Sequence, residues 1–281
     1  MAKLKWTVAS KSDQGKVRSN NEDNLLVDES IGLLVVADGM GGHQSGEVAS
    51  RMATQILAEN LKNLVKSGAV PEKTNPNVSA QTNQLAFCVR LANQAIFEAS
   101  KRYAQDRGMG TTLSALWLHD GYCSLAHVGD SRAYIARNGT LEQITRDHSL
   151  VMDQVRQGLI TQEEAASSNL QHVLSRALGV AETVEADAEE HPLMDGDFLL
   201  LCTDGLTRMV SEKEIKTIID SARNPDSISE TLVEAANAAG GKDNVSVIVA
   251  LIEKASFIQN LKSKFAKSKN QRPAAADGRR S

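Results

Sequence analysis

With 281 residues, 41% of them apolar, the chain can build a substantial core as one large domain or two small ones. Its 31 Lys/Arg and 35 Asp/Glu are unevenly placed: residues 255–281 hold seven basic residues and one acidic, a tail of +6, which leaves 24 against 34 in a body of −10. So acidic a body excludes nucleic acid as its main partner, and neither a secretion signal nor a run of transmembrane length is expected. Cys88, Cys123 and Cys202 are odd in number, sit in apolar surroundings and lack metal-ligand spacing. They are read as reduced, buried thiols of a cytoplasmic protein.

In chain order, Trp6 to Ser10 predicts a short strand, followed by the polar loop SDQGKVRSNNEDN with Gly15 at its turn. Leu25 to Asp28 and Ile31 to Ala37 predict a hairpin about Glu29 and Ser30. The second arm, LLVVA, runs without a polar break and stops at Asp38, as a strand buried on both faces does. Gly39, Gly41 and Gly42 keep the following backbone free of side chains, so that it can approach a ligand closely. Ser45 to Val65 predicts a helix with Ser45 as N-cap and Val48, Met52, Ile56 and Leu61 inward. Residues 67–78, with Gly68, Pro71 and Pro76, read as a linker. Ala80 to Tyr103 predicts a second helix with Leu85, Val89, Ala92 and Ile96 inward.

The period then changes to two. Thr111 to Leu118, Tyr122 to Val128, Arg132 to Arg137 and Leu141 to Ile144 predict antiparallel strands, joined by turns at His119-Asp120-Gly121 and Asn138-Gly139. Thr145 to Leu170 is polar with short helical pieces. Val184 to Glu189 and Phe198 to Cys202 resume the strands, Ser211 to Ala222 and Ser227 to Ala239 predict two more helices, and Asn244 to Ile252 closes the body. This order is α+β, most simply sheets packed between helix layers.

Glu22, Asp23, Asp38, Asp130, Asp204 and Asp243 all fall at loops or strand ends. Singly, each is an ordinary turn residue. Two apolar runs ending in Asp-Gly, and an Asp-Asn before a third run, point instead to a common place. Antiparallel neighbours set the end of one strand beside the start of the next, so Asp38, Asp204 and Asp243 are expected at one sheet edge. Two carboxylates about 4 Å apart at an effective dielectric of 20 repel by roughly 4 kcal/mol. Such a cluster takes up protons or binds cations. All-oxygen ligands select Mg²⁺ or Mn²⁺, with Ca²⁺ a further candidate, and two ions sharing carboxylates lower the pKa of a bridging water. Arg18, one short loop before Glu22-Asp23, suits the bidentate grasp of a phosphate.

Taken together, RSNNED (18–23), DGMGGH (38–43), GMGTT (108–112), GDSR (129–132), TDG (203–205) and KDN (242–244) resemble the metal-dependent Ser/Thr protein phosphatases of type 2C, in their compact bacterial form. The likeness runs from Trp6 to Ile252 with every motif in family order. It implies a four-layer α-β-β-α sandwich of two antiparallel sheets flanked by helix pairs, with the metals at one end. It also implies a phosphatase domain over 1–254 and hydrolysis of phosphoserine and phosphothreonine by metal-activated water, without a phosphoenzyme. By the same resemblance two core Mn²⁺ or Mg²⁺ ions are bridged by Asp38. The Gly39 carbonyl serves one ion, and Asp204 and Asp243 serve the other. Glu22 and Asp23 support the site directly or through water, and Asp130 with Asp204 holds a third, weaker ion. Arg18 is the phosphate clamp and His43 the candidate general acid, although the chain inserts Met-Gly-Gly into the eukaryotic DGH pattern. Thr111 and Thr112 are read as supports of the sheet edge. The polar segment 147–170, opening with Asp147, His148 and Ser149, resembles the family's flap and is expected to influence substrate choice.

The implied partners are phosphorylated Ser/Thr proteins and a Ser/Thr kinase with its substrates, and nothing asks for more than a monomer. Phe257, Ile258, Leu261 and Phe265 with Lys262, Lys264 and Lys267 could form a basic amphipathic contact to a membrane or partner, although the plainer expectation is a frayed helix and flexible terminus. The competing readings are a catalytically silent phosphoprotein-binding pseudophosphatase, whose usual mark is a missing metal carboxylate, and a hydrolase of small phosphate esters. No carboxylate is missing here.

Overall fold

The computed structural model describes residues 4–41, 45–71, 74–102 and 106–254. His43 and the tail 255–281 lie outside them. Among the described residues, eleven strands form two antiparallel sheets. The first contains β1 (Leu4–Asp13), β7 (Arg132–Arg137), β8 (Thr140–Gln143), β10 (Phe198–Cys202) and β11 (Val245–Lys254), in the order β1-β11-β10-β7-β8. The second contains β2 (Asp23–Asp28), β3 (Leu33–Met40), β5 (Leu113–His119), β6 (Tyr122–Val128) and β9 (Asp187–Pro192), in the order β2-β3-β5-β6-β9, with the two-residue β4 (Gly110–Thr111) beside the end of β3.

The uninterrupted apolar runs explain the layering. Side chains alternate across a strand, and three runs bury both sets. Leu34 and Val36 of β3, Leu199 and Leu201 of β10, and Ile248, Ala250 and Ile252 of β11 meet between the sheets. Leu33, Val35 and Ala37 face the helices α1 (Ser45–Ser67) and α2 (Ala80–Arg102). On the opposite outer face, Phe198, Leu200, Val247 and Val249 pack against α6 (Glu212–Ser221) and α7 (Pro225–Ala238). The result is the expected α-β-β-α sandwich. All three cysteines are buried and free, and burial pushes the Cys88 and Cys202 thiols up to about 12.

Three local expectations shift. The buried stripe of α1 is Ala49, Ala53, Leu57 and Leu61, with Val48, Met52 and Ile56 half-buried beside it. Small alanines let this helix lie close to β3, so the contact face sits one residue round from the bulky set. The strand expected at Val184 to Glu189 is β9, three residues later, because Val184 and Ala186 pack toward the helix-side core while the polar DAEEHP supplies an edge strand. Finally, β10 and β11 are neighbours in one sheet while β3 belongs to the other. Asp204 and Asp243 therefore share a sheet edge, and Asp38 meets them from the facing sheet.

At the far end of the sandwich, Arg137 donates from Nε and Nη2 to Asp197 at 2.8 and 2.7 Å. Asp197 is 1% exposed and also accepts from the Met194 amide at 2.7 Å. Truncation of the arginine strands a buried carboxylate, which is costly. Arg137→Ala should lower unfolding stability by about 2 to 3 kcal/mol in urea titration, while leaving kcat/KM for any substrate processed at the opposite end unchanged.

Candidate metal centre

The six carboxylates collect where the two sheets meet at one end. Asp23 and Asp38 are direct cross-strand partners in the β2–β3 ladder, an arrangement that like charges disfavour. The Asp38 backbone is fixed by three hydrogen bonds: its amide donates to Thr112 Oγ1 at 2.9 Å, and its carbonyl accepts from the Thr112 amide and Thr111 Oγ1, each at 2.9 Å. Both threonines thus support the strand end, as read from the sequence. Asp23 crosses to the other sheet, where its Oδ2 accepts from Thr203 Oγ1 and Ser246 Oγ, each at 2.8 Å. Burial pushes the Asp23 carboxyl up to about 7, with Asp204 and Asp243 adding to the rise against those two hydroxyls.

Close backbone approach brings the motif loops together. A Cβ on Gly39 would overlap the Gly46 carbonyl at the start of α1 and lie 2.6 Å from the Glu22 carbonyl oxygen. A Cβ on Gly46 would lie 2.7 Å from Glu22 Oε2. Gly39 donates its amide to the Glu22 carbonyl at 3.2 Å. Glu22 in turn donates its amide to Asn244 Oδ1 at 2.8 Å, which binds the RSNNED loop to the KDN turn. Asp204 opens the short α5 (Asp204–Thr207) directly after β10. Its carboxyl is raised by burial and by Asp243, opposed by Arg208. Burial, with Asp204 nearby, pushes Asp130 up to about 7. Asp38 is held well above the usual carboxylate range, first by desolvation and then by Asp23, Asp204, Asp130 and Asp243.

Two arginines face this charge. Arg18 Nη2 is 2.8 Å from Asp243 Oδ2, and Arg208 Nη2 is 2.5 Å from Asp204 Oδ2 and 3.4 Å from Asp130 Oδ2. They leave the buried Asp23 Oδ1 and Asp204 Oδ1 without a hydrogen-bond partner. Orphaned carboxylate oxygens among carboxylates raised by burial and by one another fit a hard divalent ion. Among the described residues, no three His, Cys, Asp or Glu side chains close into a finished cage. That accords with ions such as Mg²⁺, which keep several waters and take few protein oxygens.

Asp147, His148 and Ser149, expected to open a flap, are buried. Asp147 takes Arg132 Nε at 3.0 Å and Nη2 at 2.8 Å, and also Gln143 Nε2 at 3.0 Å. Buried His148 accepts from the Gly129 amide through Nδ1 at 3.1 Å and turns Nε2 toward Asp187 Oδ2 at 3.3 Å. This contact and Arg176 hold the Asp187 carboxyl down at about 2. Ser149 caps α3 (Leu150–Arg156), which α4 (Gln162–Ser167) follows. These residues anchor the segment to GDSR, and exposed Leu159 and Leu170 face solvent. Sequence reasoning missed Ser246, Asn244 and Arg208 as parts of the site. Arg208 had a signal, its (i, i+4) spacing from Asp204. Ser246 had one as the single polar residue in the run VSVIVALI.

Fold and site together present a cluster of carboxylates between two sheets whose chemistry suits hard divalent ions. Residues 14–245 match the family profile of Protein phosphatase 2C. The chain is 38% identical over 246 residues to the serine/threonine phosphatase stp of Listeria welshimeri, covering 85% of this chain and 93% of that one. It is 36% identical over 239 residues to the protein phosphatase PhpP of Streptococcus pneumoniae, covering 84% and 93%. Among solved structures, the Mycobacterium tuberculosis serine/threonine phosphatase PstP/Ppp superposes with a TM-score of 0.78 at 37% identity, covering 88% of this chain and 99% of that one. The catalytic domain of PstP with two manganese ions superposes at 0.76 and 36% identity, covering 89% and 100%. The chain belongs to the protein phosphatase 2C family.

Proposed function

We propose that the chain removes phosphate from phosphoserine and phosphothreonine of proteins, with residues 1–254 as the phosphatase domain. The observation that carries this reading is the pair of orphaned oxygens, Asp23 Oδ1 and Asp204 Oδ1, inside a buried carboxylate cluster of a 2C-family chain. Asp38, Asp204, Asp243 and the Gly39 carbonyl would hold the two core ions, with Glu22 and Asp23 beside them and Asp130 at the rim. When bound, the ions supply a water of lowered pKa and neutralise phosphate charge.

The chain's own residues do the rest. Arg18 is about half exposed and reaches Asp243 from the loop side, so its guanidinium can turn to an incoming phosphate once Asp243 is otherwise neutralised. His43, placed by sequence five residues after Asp38, is the candidate proton donor to the departing serine or threonine oxygen. Asp147, His148 and Ser149 set where the flap leaves the sheet, and so which side chains around Leu159 and Leu170 a phosphoprotein meets. The partners in this reading are phosphorylated proteins and the Ser/Thr kinase that phosphorylates them. The protein acts as a cytoplasmic monomer, and the basic tail is available for a membrane or partner contact.

The test is phosphate release from a phosphothreonine peptide by the full chain in EDTA, Mg²⁺ or Mn²⁺. Turnover with Mn²⁺ or Mg²⁺ and none in EDTA is expected. No turnover from folded protein with any metal overturns the reading in favour of a pseudophosphatase. Arg18→Ala should lower kcat/KM by about tenfold to a hundredfold, mostly through KM, as expected for a group that binds the phosphate in both ground and transition state.

A further inference from the structure

We propose that Arg208 is a built-in cation for the Asp130–Asp204 pair, so that this chain binds its two core ions and takes no third ion between those carboxylates. The inference rests on the phosphatase reading above and concerns how the same site is charged.

Arg208 follows α5 and donates its amide to the Asp204 carbonyl at 2.9 Å, which fixes its Cα one helical turn from the carboxylate it serves. Its Nη2 lies 2.5 Å from Asp204 Oδ2 and 3.4 Å from Asp130 Oδ2. Both carboxylates are buried, and a guanidinium cannot be neutralised by deprotonation in a protein. It is also tethered, so it competes with a dissolved ion at a high effective concentration. An ion entering between Asp130 and Asp204 must first displace that charge. The two oxygens of Asp204 are unequal in just this way: Oδ2 is taken by Arg208, whereas Oδ1 is buried and without a partner. Asp204 can therefore serve a core ion through Oδ1 while Arg208 keeps Oδ2. About one third of the Arg208 side chain is exposed, which places it at the rim of the buried cluster.

The consequence is a division of the carboxylates. Asp23, Asp38, Asp243 and Oδ1 of Asp204 belong to exchangeable ions, and Asp130 belongs to a cation that cannot leave. Chelation would then strip the core without leaving Asp130 and Asp204 bare to each other.

The experiment counts Mn²⁺ bound per chain by equilibrium dialysis with metal analysis. The EDTA-stripped full chain is compared with Arg208→Gln and Arg208→Lys, and melting is followed in EDTA alongside. Wild type and Arg208→Lys should saturate at two ions. Arg208→Gln should gain a third, weaker ion, and should melt several degrees lower in EDTA with recovery on adding Mn²⁺. Equal counts in wild type and Arg208→Gln overturn the proposal, as do three ions in wild type, a result that needs no variant to fold. A wild type that binds no Mn²⁺ overturns the metal-dependent reading itself, which separates the two failures.

Discussion

Asp38→Ala should reduce Mn²⁺-dependent hydrolysis of a phosphothreonine peptide by at least about a thousandfold and, in EDTA, make the protein melt at a higher temperature than wild type. Both outcomes have one cause. Asp38 stands opposite Asp23 in the β2–β3 ladder and feels the charges of Asp23 and Asp204, a placement that suits a cation and otherwise opposes folding. Its removal takes away the carboxylate that faces the most acidic neighbours and relieves the repulsion among the rest. The same balance sets a pH dependence for the metal-free protein. Asp23 and Asp130 are held at about 7 against an ordinary 3.8, so the native state binds protons that the unfolded chain has already released. Their contribution is complete below about pH 4 and is lost as pH rises through about 7. The melting temperature in EDTA should therefore fall from pH 5 to pH 8, less steeply in Asp38→Ala. The Asp187 carboxyl, held at about 2 by His148 and Arg176, acts in the opposite sense but only below about pH 4, outside this window. Saturating Mn²⁺ should invert the slope, because ion binding requires the ionised carboxylates. Activity of Asp38→Ala within tenfold of wild type, or a metal-free melting curve flat between pH 5 and 8, would show that these carboxylates do not act as one charged cluster.

How much of this was legible in the sequence depended on whether a feature lay along the chain or across it. The runs LLVVA and FLLLC, and the strand after KDN, announced strands buried on both faces, and their alternate residues line the layers as that requires. The Asp-Gly and Asp-Asn punctuation marked the strand ends that carry Asp38, Asp204 and Asp243. The assignment of those ends to two facing sheets was hidden, because local alternation is the same whichever sheet a strand joins. Ala49 and Ala53 were overlooked as the inner face of α1 because small residues carry little apolar signal, yet their smallness is what permits the approach of Gly46 to Gly39. Asp147, His148 and Ser149 read as the opening of a substrate-selecting flap, because the segment they begin is polar and resembles the family's flap. Their partners Arg132, Gly129 and Asp187 lie on other strands and turns, and these make them internal anchors.

Gly205→Ala should destabilise the protein by about 3 kcal/mol and weaken Mn²⁺ binding at least tenfold, even though no charged group is altered. An added Cβ at Gly205 would overlap the Asn244 carbonyl oxygen and sit 2.8 Å from its carbonyl carbon. Both obstacles are backbone, so no rotamer change relieves them, and the TDG and KDN turns must separate. That separation moves Asp204 from Asp243, each of which adjoins the clash by one residue. It also reaches Glu22, because Asn244 Oδ1 holds the Glu22 amide at 2.8 Å and its Nδ2 holds the carbonyls of Gln14 and Asn20 at 2.9 and 2.8 Å. Three of the six motifs are thus tied to one close backbone contact. The proper comparison is Gly139→Asn, where the residue has φ +73° and open space around the added atom. Asn tolerates that left-handed conformation, so the β7–β8 turn should lose less than about 1 kcal/mol and keep wild-type Mn²⁺ affinity. Urea unfolding and Mn²⁺ titration of the two variants separate the effects. If Gly205→Ala unfolds within about 1 kcal/mol of wild type with unchanged Mn²⁺ affinity, the turns are not fixed by this contact, and the spacing of Asp204 from Asp243 must be set by the β10–β11 ladder alone.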